Sequence, residues 1–289
     1  MRTIIVTGNT GFIGQNLVRF LEKLNLEYRV IKNLDILVDD DWLRNNNYQN
    51  GPYLVYHLAA KTGVKESWCN FQEVFDSNVR GTQRVLEFSK LTGSSMVFLS
   101  SAHNFGSANG MNESQLTSID NPYALSKSLA ENLCNFYSKQ YDIPITILRL
   151  FNVYGPGQSN KFLIPHLISE FLNKKEITVE NLNGERDYIY VDDVVTALLK
   201  SSRDAPGCEV FNVGTGKAYS VKEIIQMLSI IVGENKNVVD KKQERKNEVL
   251  HSCANIEKIR SVLSWEPKID LEEGLRRTVQ ALEDSQDMT

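Results

Sequence analysis

No stretch of the 289-residue sequence is apolar for long enough to span a bilayer, which excludes a helical integral membrane fold and leaves no membrane partner to expect. Basic residues are not in excess. The 32 Lys and Arg stand against 36 Asp and Glu, a formal net charge of -4 that excludes a broad cationic surface for nucleic acid. Cysteine is scarce: Cys69, Cys134, Cys208 and Cys253 are scattered without metal-ligand spacing, so no metal site is expected. They read as reduced thiols, and with no signal peptide expected ahead of the first strand the expected location is the cytoplasm. Internal repeats, low-complexity tracts and a Gly-Lys-Ser/Thr phosphate loop are also missing. What is left is a globular chain long enough for one large domain or two fused lobes.

The first half alternates short apolar runs with helical periodicity. Ile4-Ile5-Val6 predicts a strand and Phe12 to Leu24 a helix; Tyr28 to Ile31 and Tyr53 to His57 predict two further strands. A long helix is expected from about Phe71 to Leu91, a strand at Met96 to Ser100, a helix from about Asn121 to Tyr141 and a strand at Ile145 to Arg149. Alternation of this kind implies a doubly wound parallel sheet of the α/β class, with helices on both faces. Beyond Asn152 the pattern loosens. Helices are expected near 162–172, 192–201, 221–232, 256–263 and 271–282, with short strands at 177–179, 188–191 and 210–213. Residues 1–153 plus about 188–214 are therefore expected to form a nucleotide-binding (Rossmann) domain. Residues of about 154–187 and 215–289 would form a smaller α/β lobe over the substrate.

Thr7-Gly-Asn-Thr-Gly-Phe-Ile-Gly14 lies between the first strand and the first helix. Gly8 suits a tight turn, Gly11 lets backbone approach a pyrophosphate, and Gly14 allows close helix–strand packing. With Thr10, Phe12 and Ile13 they form a candidate dinucleotide cradle at a helix N-terminus. An acidic residue after the second strand holds the ribose hydroxyls in NAD sites. Here Lys32 occupies that position, and a cation suits a 2′-phosphate, so NADP(H) is favoured. Asp35 lies three residues on and keeps NAD(H) open.

Tyr123 and Lys127 are four residues apart, on one face of the predicted helix. An ammonium fixed beside a phenol favours the phenolate and is expected to lower its pKa. Any amphipathic helix may hold such a pair, but Ser100-Ser101 upstream and the glycine loop give it a chemical context.

With those motifs in place, the chain resembles the extended short-chain dehydrogenase/reductase family acting on nucleotide sugars. The resemblance covers nearly the whole length. It includes His57-Leu-Ala-Ala60, Asn78-Val-x-Gly-Thr82, Arg149-Leu-Phe-Asn-Val-Tyr-Gly-Pro156, Gly184-Glu-Arg-Asp-Tyr-Ile-Tyr-Val-Asp-Asp193 and Asn212-Val-Gly-Thr-Gly216. It implies Tyr123 as the acid/base at the sugar C4 oxygen and Lys127 as the group that holds the nicotinamide ribose. It implies Ser101 as a second hydrogen-bonding partner of that oxygen. Leu58, Ala59, Ala60 and Asn78 would line the cofactor. Asn152 would contact the sugar diphosphate, and Arg186 and Arg245 would clamp its charge through their planar forks. For Arg245 a solvated surface charge is an equal alternative. The resemblance also implies a homodimer through helices at about 71–92 and 121–141, to which Leu129, Leu133 and Phe136 are candidates.

Which reaction the chain runs turns on Ala102-His103, where sugar-nucleotide dehydratases carry an Asp-Glu pair. The missing acids disfavour a 4,6-dehydratase. His103 is a candidate acid/base, with a neutral sugar contact as the alternative. Two readings remain: a 4-ketoreductase in deoxysugar or surface-polysaccharide precursor synthesis, preferred on Lys32, and a 4-epimerase using held NAD. A non-catalytic binding protein on the same fold is a distant third, since Ser101, Tyr123 and Lys127 are all kept. Trp68 and Phe71 are expected either in the core or along the sugar pocket. His57 is expected to be structural, and His166 has no role assigned.

Overall fold

The computed structural model describes residues 2–31, 51–102, 108–115, 119–242 and 250–286. Six strands make a fully parallel sheet: β1 (Ile4–Thr7), β2 (Tyr28–Ile31), β3 (Leu54–His57), β4 (Ser95–Ser101), β6 (Ile145–Leu150) and β10 (Cys208–Val213). Their spatial order is β10-β6-β4-β3-β1-β2. Strands β1, β4 and β6 are buried at every position, as a sheet covered on both faces requires. One face packs Leu17 and Leu21 of α1 (Phe12–Lys23) with Val194, Val195 and Leu198 of α7 (Val191–Lys200). The other packs Val85, Leu86 and Phe88 of α4 (Gly81–Thr92) with Ala130, Cys134 and Tyr137 of α5 (Pro122–Tyr141). The chain steps from β1 outward to β2, then back across β1 to β3 and onward. That reversal leaves a crevice at the carboxyl ends of β1 and β3, where open α/β sheets take ligands.

Three differences from the sequence pattern matter. The helix expected over 71–91 is divided into α3 (Phe71–Phe75), a π turn (Asp76–Arg80) and α4. Inside that wider turn, Asn78 bonds to neighbouring segments. A short helix, α2 (Val64–Cys69), precedes it. Short strands unseen in the pattern, β5 (Ala108–Met111), β11 (Ala218–Ser220) and β13 (His251–Ala254), join β9 (Glu185–Tyr190) in a second sheet, with β7 (Asn152–Tyr154) alongside β9. The stretch from Tyr188, expected in the nucleotide-binding domain, therefore starts in this second sheet. It returns to the first through α7 and β10.

A further cluster of buried side chains lies outside the six-stranded sheet. Ile164, Leu167, Ile168 and Phe171 of α6 (Leu163–Asn173) pack on Ile224 and Leu228 of α8 (Val221–Val232) and on Leu275 and Val279 of α9 (Leu271–Gln286). β8 (Glu176–Val179) and β12 (Asn237–Asp240) pair beside them. Trp68 and Phe71 lie in neither core: they are 65% and 39% exposed, so neither expected placement is found. Among the described residues no helix is long and apolar enough to cross a membrane.

Candidate active site

Strands β1, β3, β4 and β6 all point their carboxyl ends at one cavity of about 720 Å³, within the ~300–1,000 Å³ of small-molecule sites. The glycine loop forms one end. Gly8 sits at φ +73, in left-handed space, and a Cβ there would lie 2.6 Å from the Ala59 nitrogen. A Cβ at Gly14 would run into the Gly8 carbonyl oxygen. Gly11, Phe12, Ile13 and Gly14 line the cavity. Helix α1 starts on Gly11 with neither a side-chain cap nor a carboxylate in its first turn, so its N–H groups and positive dipole end face the cavity. A glycine cradle at an uncapped helix start fits a dinucleotide's pyrophosphate. Leu58 and Ala60 line the same end.

Three expected cofactor contacts lie elsewhere. Thr10 is exposed, outside the cavity wall, and its carbonyl accepts from Gln15 Nε2 at 2.9 Å. Ala59 is buried beneath the loop, its N–H donating to Thr7 Oγ1 at 3.2 Å. Asn78 is fully buried and behaves as a bracket. Its Oδ1 accepts from the Lys61 N–H at 2.8 Å, while its Nδ2 donates to the Lys61 carbonyl and to Ser126 Oγ, both at 3.0 Å. Those bonds fasten the β3 loop to the helix that carries Lys127, and they occupy both ends of the amide. The positions of Lys32, Asp35, His103 and Arg245 lie outside the described residues.

His57, at the end of β3, is locked as a neutral ring. Thr82 Oγ1 donates to the Asn78 carbonyl at 2.6 Å, so it accepts from His57 Nε2 at 3.0 Å. Nδ1 then accepts from the Thr7 hydroxyl at 2.8 Å. Burial, helped by the Lys127 charge, pushes its pKa down to about 3.

Ser101, Tyr123 and Lys127 meet on the cavity floor. Asn121 caps α5 by accepting from the Ala124 N–H at 2.8 Å, and Pro122 opens the helix, which fixes Tyr123 in its first turn. The Ser101 hydroxyl hydrogen-bonds the Tyr123 phenol. Lys127, one turn on, donates from Nζ to the Leu99 carbonyl at 2.8 Å, 4.9 Å from the centroid of the Phe98 ring. The lowered phenol pKa expected from the Tyr–Lys spacing is not found. Burial pushes Tyr123 up to about 12, against the Ser101 bond that holds it down. The ammonium instead faces a backbone oxygen, so the phenol is a protonated donor at neutral pH.

The far wall carries side chains of β7 and β9. Asn152 and Arg186 both line the cavity. Asn152 Nδ2 donates to the Asp187 carbonyl at 3.0 Å, and Arg186 Nη1 donates to the Glu185 carbonyl at 2.9 Å. Asp187 anchors that strand from beneath, accepting from Thr215 N–H (2.8 Å) and Oγ1 (2.7 Å), Gly216 N–H (2.9 Å) and Ala254 N–H (3.2 Å). His166, left without a role on sequence grounds, also lines this wall, its Nε2 3.7 Å from the Glu170 carboxylate. Glu131, one turn past Lys127, was missed as well. Its signal was present as a repeat of the same four-residue spacing.

Comparison with known proteins agrees with this layout. Residues 4–214 match the model of the NAD dependent epimerase/dehydratase family. A UDP-glucuronate 4-epimerase of Thermodesulfobacterium geofontis is 30% identical, over 95% of this chain and 94% of its own length. The crystal structure of the UDP-glucuronic acid 4-epimerase from Bacillus cereus, in complex with UDP-glucuronic acid and NAD, superposes with a TM-score of 0.87 at 29% identity, covering 98% of this chain and 99% of that one. RMD from Pseudomonas aeruginosa, complexed with NADPH, gives a TM-score of 0.89 at 26% identity over 99% and 100% of the two chains. The chain thus belongs to the NAD dependent epimerase/dehydratase family and is an enzyme of that kind.

Proposed function

We propose that the protein is an NAD(P)-dependent oxidoreductase acting at C4 of a nucleotide-activated sugar, and that its reaction is 4-epimerisation. One observation carries the reading: the Ser101 hydroxyl on the Tyr123 phenol, with Lys127 one turn away, between the glycine cradle and the wall formed by Asn152 and Arg186. The nicotinamide, when bound, supplies the acceptor and donor of hydride at C4. Tyr123 gives or takes the proton at the C4 oxygen, and Ser101 orients that oxygen. Lys127 holds the nicotinamide ribose and supplies positive charge beside the phenol when Tyr123 must give up its proton. Asn152 and Arg186 contact the sugar diphosphate. A C4 inversion by one Tyr requires the ring to turn over between two hydride steps, and the similarity to 4-epimerases on nearly full length supports that choice.

A 4-ketoreductase using NADP(H) is the second reading. It rests on Lys32 in place of the ribose-binding acid and on likeness to a protein complexed with NADPH. Purified protein is to be stripped of nucleotide and the eluate assayed for NAD and NADP. UDP-, dTDP-, GDP- and CDP-sugars and their 4-keto derivatives are then incubated with each cofactor. Isomerisation with no net change in reduced-cofactor absorbance supports the epimerase; stoichiometric loss of NADPH absorbance supports the reductase and removes the first reading.

The homodimer and the cytoplasmic location also remain proposals. Along α4 and α5, Leu91 is 68% and Phe136 54% exposed, while Leu129 and Leu133 are half-buried, which supports a seam on that face.

A further inference from the structure

Lys127 is buried among groups that cannot balance its charge. On its own helix Tyr123 precedes it by one turn and Cys134 follows by two; burial keeps both protonated. From the sheet beneath, neutral His57 on β3 and cationic Arg149 on β6 face the same region, and Phe98 on β4 lies under the ammonium. Among these groups Glu131, one turn on, brings the negative charge.

The Glu131 carboxylate is also a mechanical joint. Its Oε1 accepts from Ser100 Oγ at 2.5 Å and from Arg149 Nε at 3.0 Å. Its Oε2 accepts from Arg149 Nη2 at 2.7 Å and from Nε at 3.2 Å. Arg149 Nη1 reaches on to the Glu113 carbonyl at 3.2 Å. Both partners of the ion pair are buried. Ser100 adjoins Ser101, and Arg149 stands three residues before Asn152, so one carboxylate fastens the helix of Tyr123 and Lys127 to the ends of β4 and β6.

We propose that Glu131 is the positioning residue of this site: it holds α5 in register with the ends of β4 and β6, and it keeps Lys127 an ammonium. The proposal rests on the reading of Ser101, Tyr123 and Lys127 as the reacting trio. Burial pulls Lys127 down to about 8, against the Glu131 charge that raises it. Removing the carboxylate leaves Lys127 neutral at a pH where the wild type is charged.

The test titrates NADH and NADPH binding between pH 6.5 and 9.5 by cofactor fluorescence on the whole chain. Wild type is expected to lose affinity as pH rises through about 8. Glu131→Gln is expected to lose it about one pH unit lower, the usual effect of one close opposite charge. Ser100→Ala cuts the hydrogen bond and leaves the charge, so affinity falls while the limb stays in place. Because Glu131→Gln strands Arg149, the double variant Glu131→Gln with Arg149→Met is measured in parallel. It lacks the buried unpaired cation, whose removal also relieves repulsion of Lys127, and is expected to keep a downward shift smaller than that of Glu131→Gln. Folding of each variant is checked by circular dichroism. A limb that stays at the wild-type pH in the folded Gln and double variants, or one that moves equally in Ser100→Ala, overturns the role assigned to Glu131. A limb that is absent in wild type or survives Lys127→Met likewise overturns the role of Glu131, whereas the reading of the trio is tested by turnover: wild-type rates in Tyr123→Phe and Lys127→Met would overturn it.

Discussion

At the scale of single residues, protonation follows burial more than pairing. Tyr123 sits at the floor of the cavity with a pKa raised to about 12, so it rests protonated, and the C4 oxidation that opens an epimerisation needs added positive charge beside it to make it the base. Tyr123→Phe is expected to lower kcat by about 10²–10⁴-fold at unchanged thermal stability, the usual contribution of one general acid/base. Turnover of the accepted nucleotide sugar by the Phe variant at the wild-type rate would sink that assignment. His57 makes a prediction about pH and stability. Its folded pKa of about 3 lies below the ordinary value of 6.5, so the unfolded chain takes a proton that the folded one refuses. This share of the stability is complete above about pH 6.5 and is lost as pH falls toward 3, by up to about 1.4 kcal/mol per pH unit. Urea unfolding at pH 7.5, 6.0 and 5.0 should show a shallower loss in His57→Gln than in wild type; parallel losses would refute it.

At the scale of elements, helix α5 does the most. Its N-cap sets the depth of Tyr123, its second turn presents Lys127, and its third is bolted to two strands through Glu131. Asn121→Ala removes the bond from the Ala124 N–H and is expected to cost about 1 kcal/mol, read as a Tm lower by a few degrees, while Asn121→Asp stays near wild type. An Ala variant as stable as the Asp variant would show that Pro122 and packing alone start the helix. The π turn at Asp76–Arg80 serves the same helix from the other side, since Asn78 within it bonds Ser126.

At the scale of the whole molecule, the two larger sheets border one cavity, and Leu91 and Phe136 stand exposed on α4 and α5. If copies of the chain pair there, Phe136→Lys should shift sedimentation velocity from a dimer toward a monomer at micromolar concentration while secondary structure is kept. Identical sedimentation of both forms would remove that face from the proposal. Much was legible without coordinates. The parallel sheet followed from strands alternating with helices, the cradle from Gly8, Gly11 and Gly14, and the trio from a serine pair and a four-residue spacing. Each of these is a local pattern, because strand period, turn geometry and helix face are fixed by neighbours in the chain. The tertiary structure alone decided the rest. It turned Asn78 from an expected cofactor contact into a bracket, drew Glu131 and Arg149 together, built a second sheet by adding strands of three or four residues to β9, and raised the Tyr123 phenol instead of lowering it. Desolvation and pairing depend on what distant segments bring to a side chain, and no spacing along the sequence carries that information.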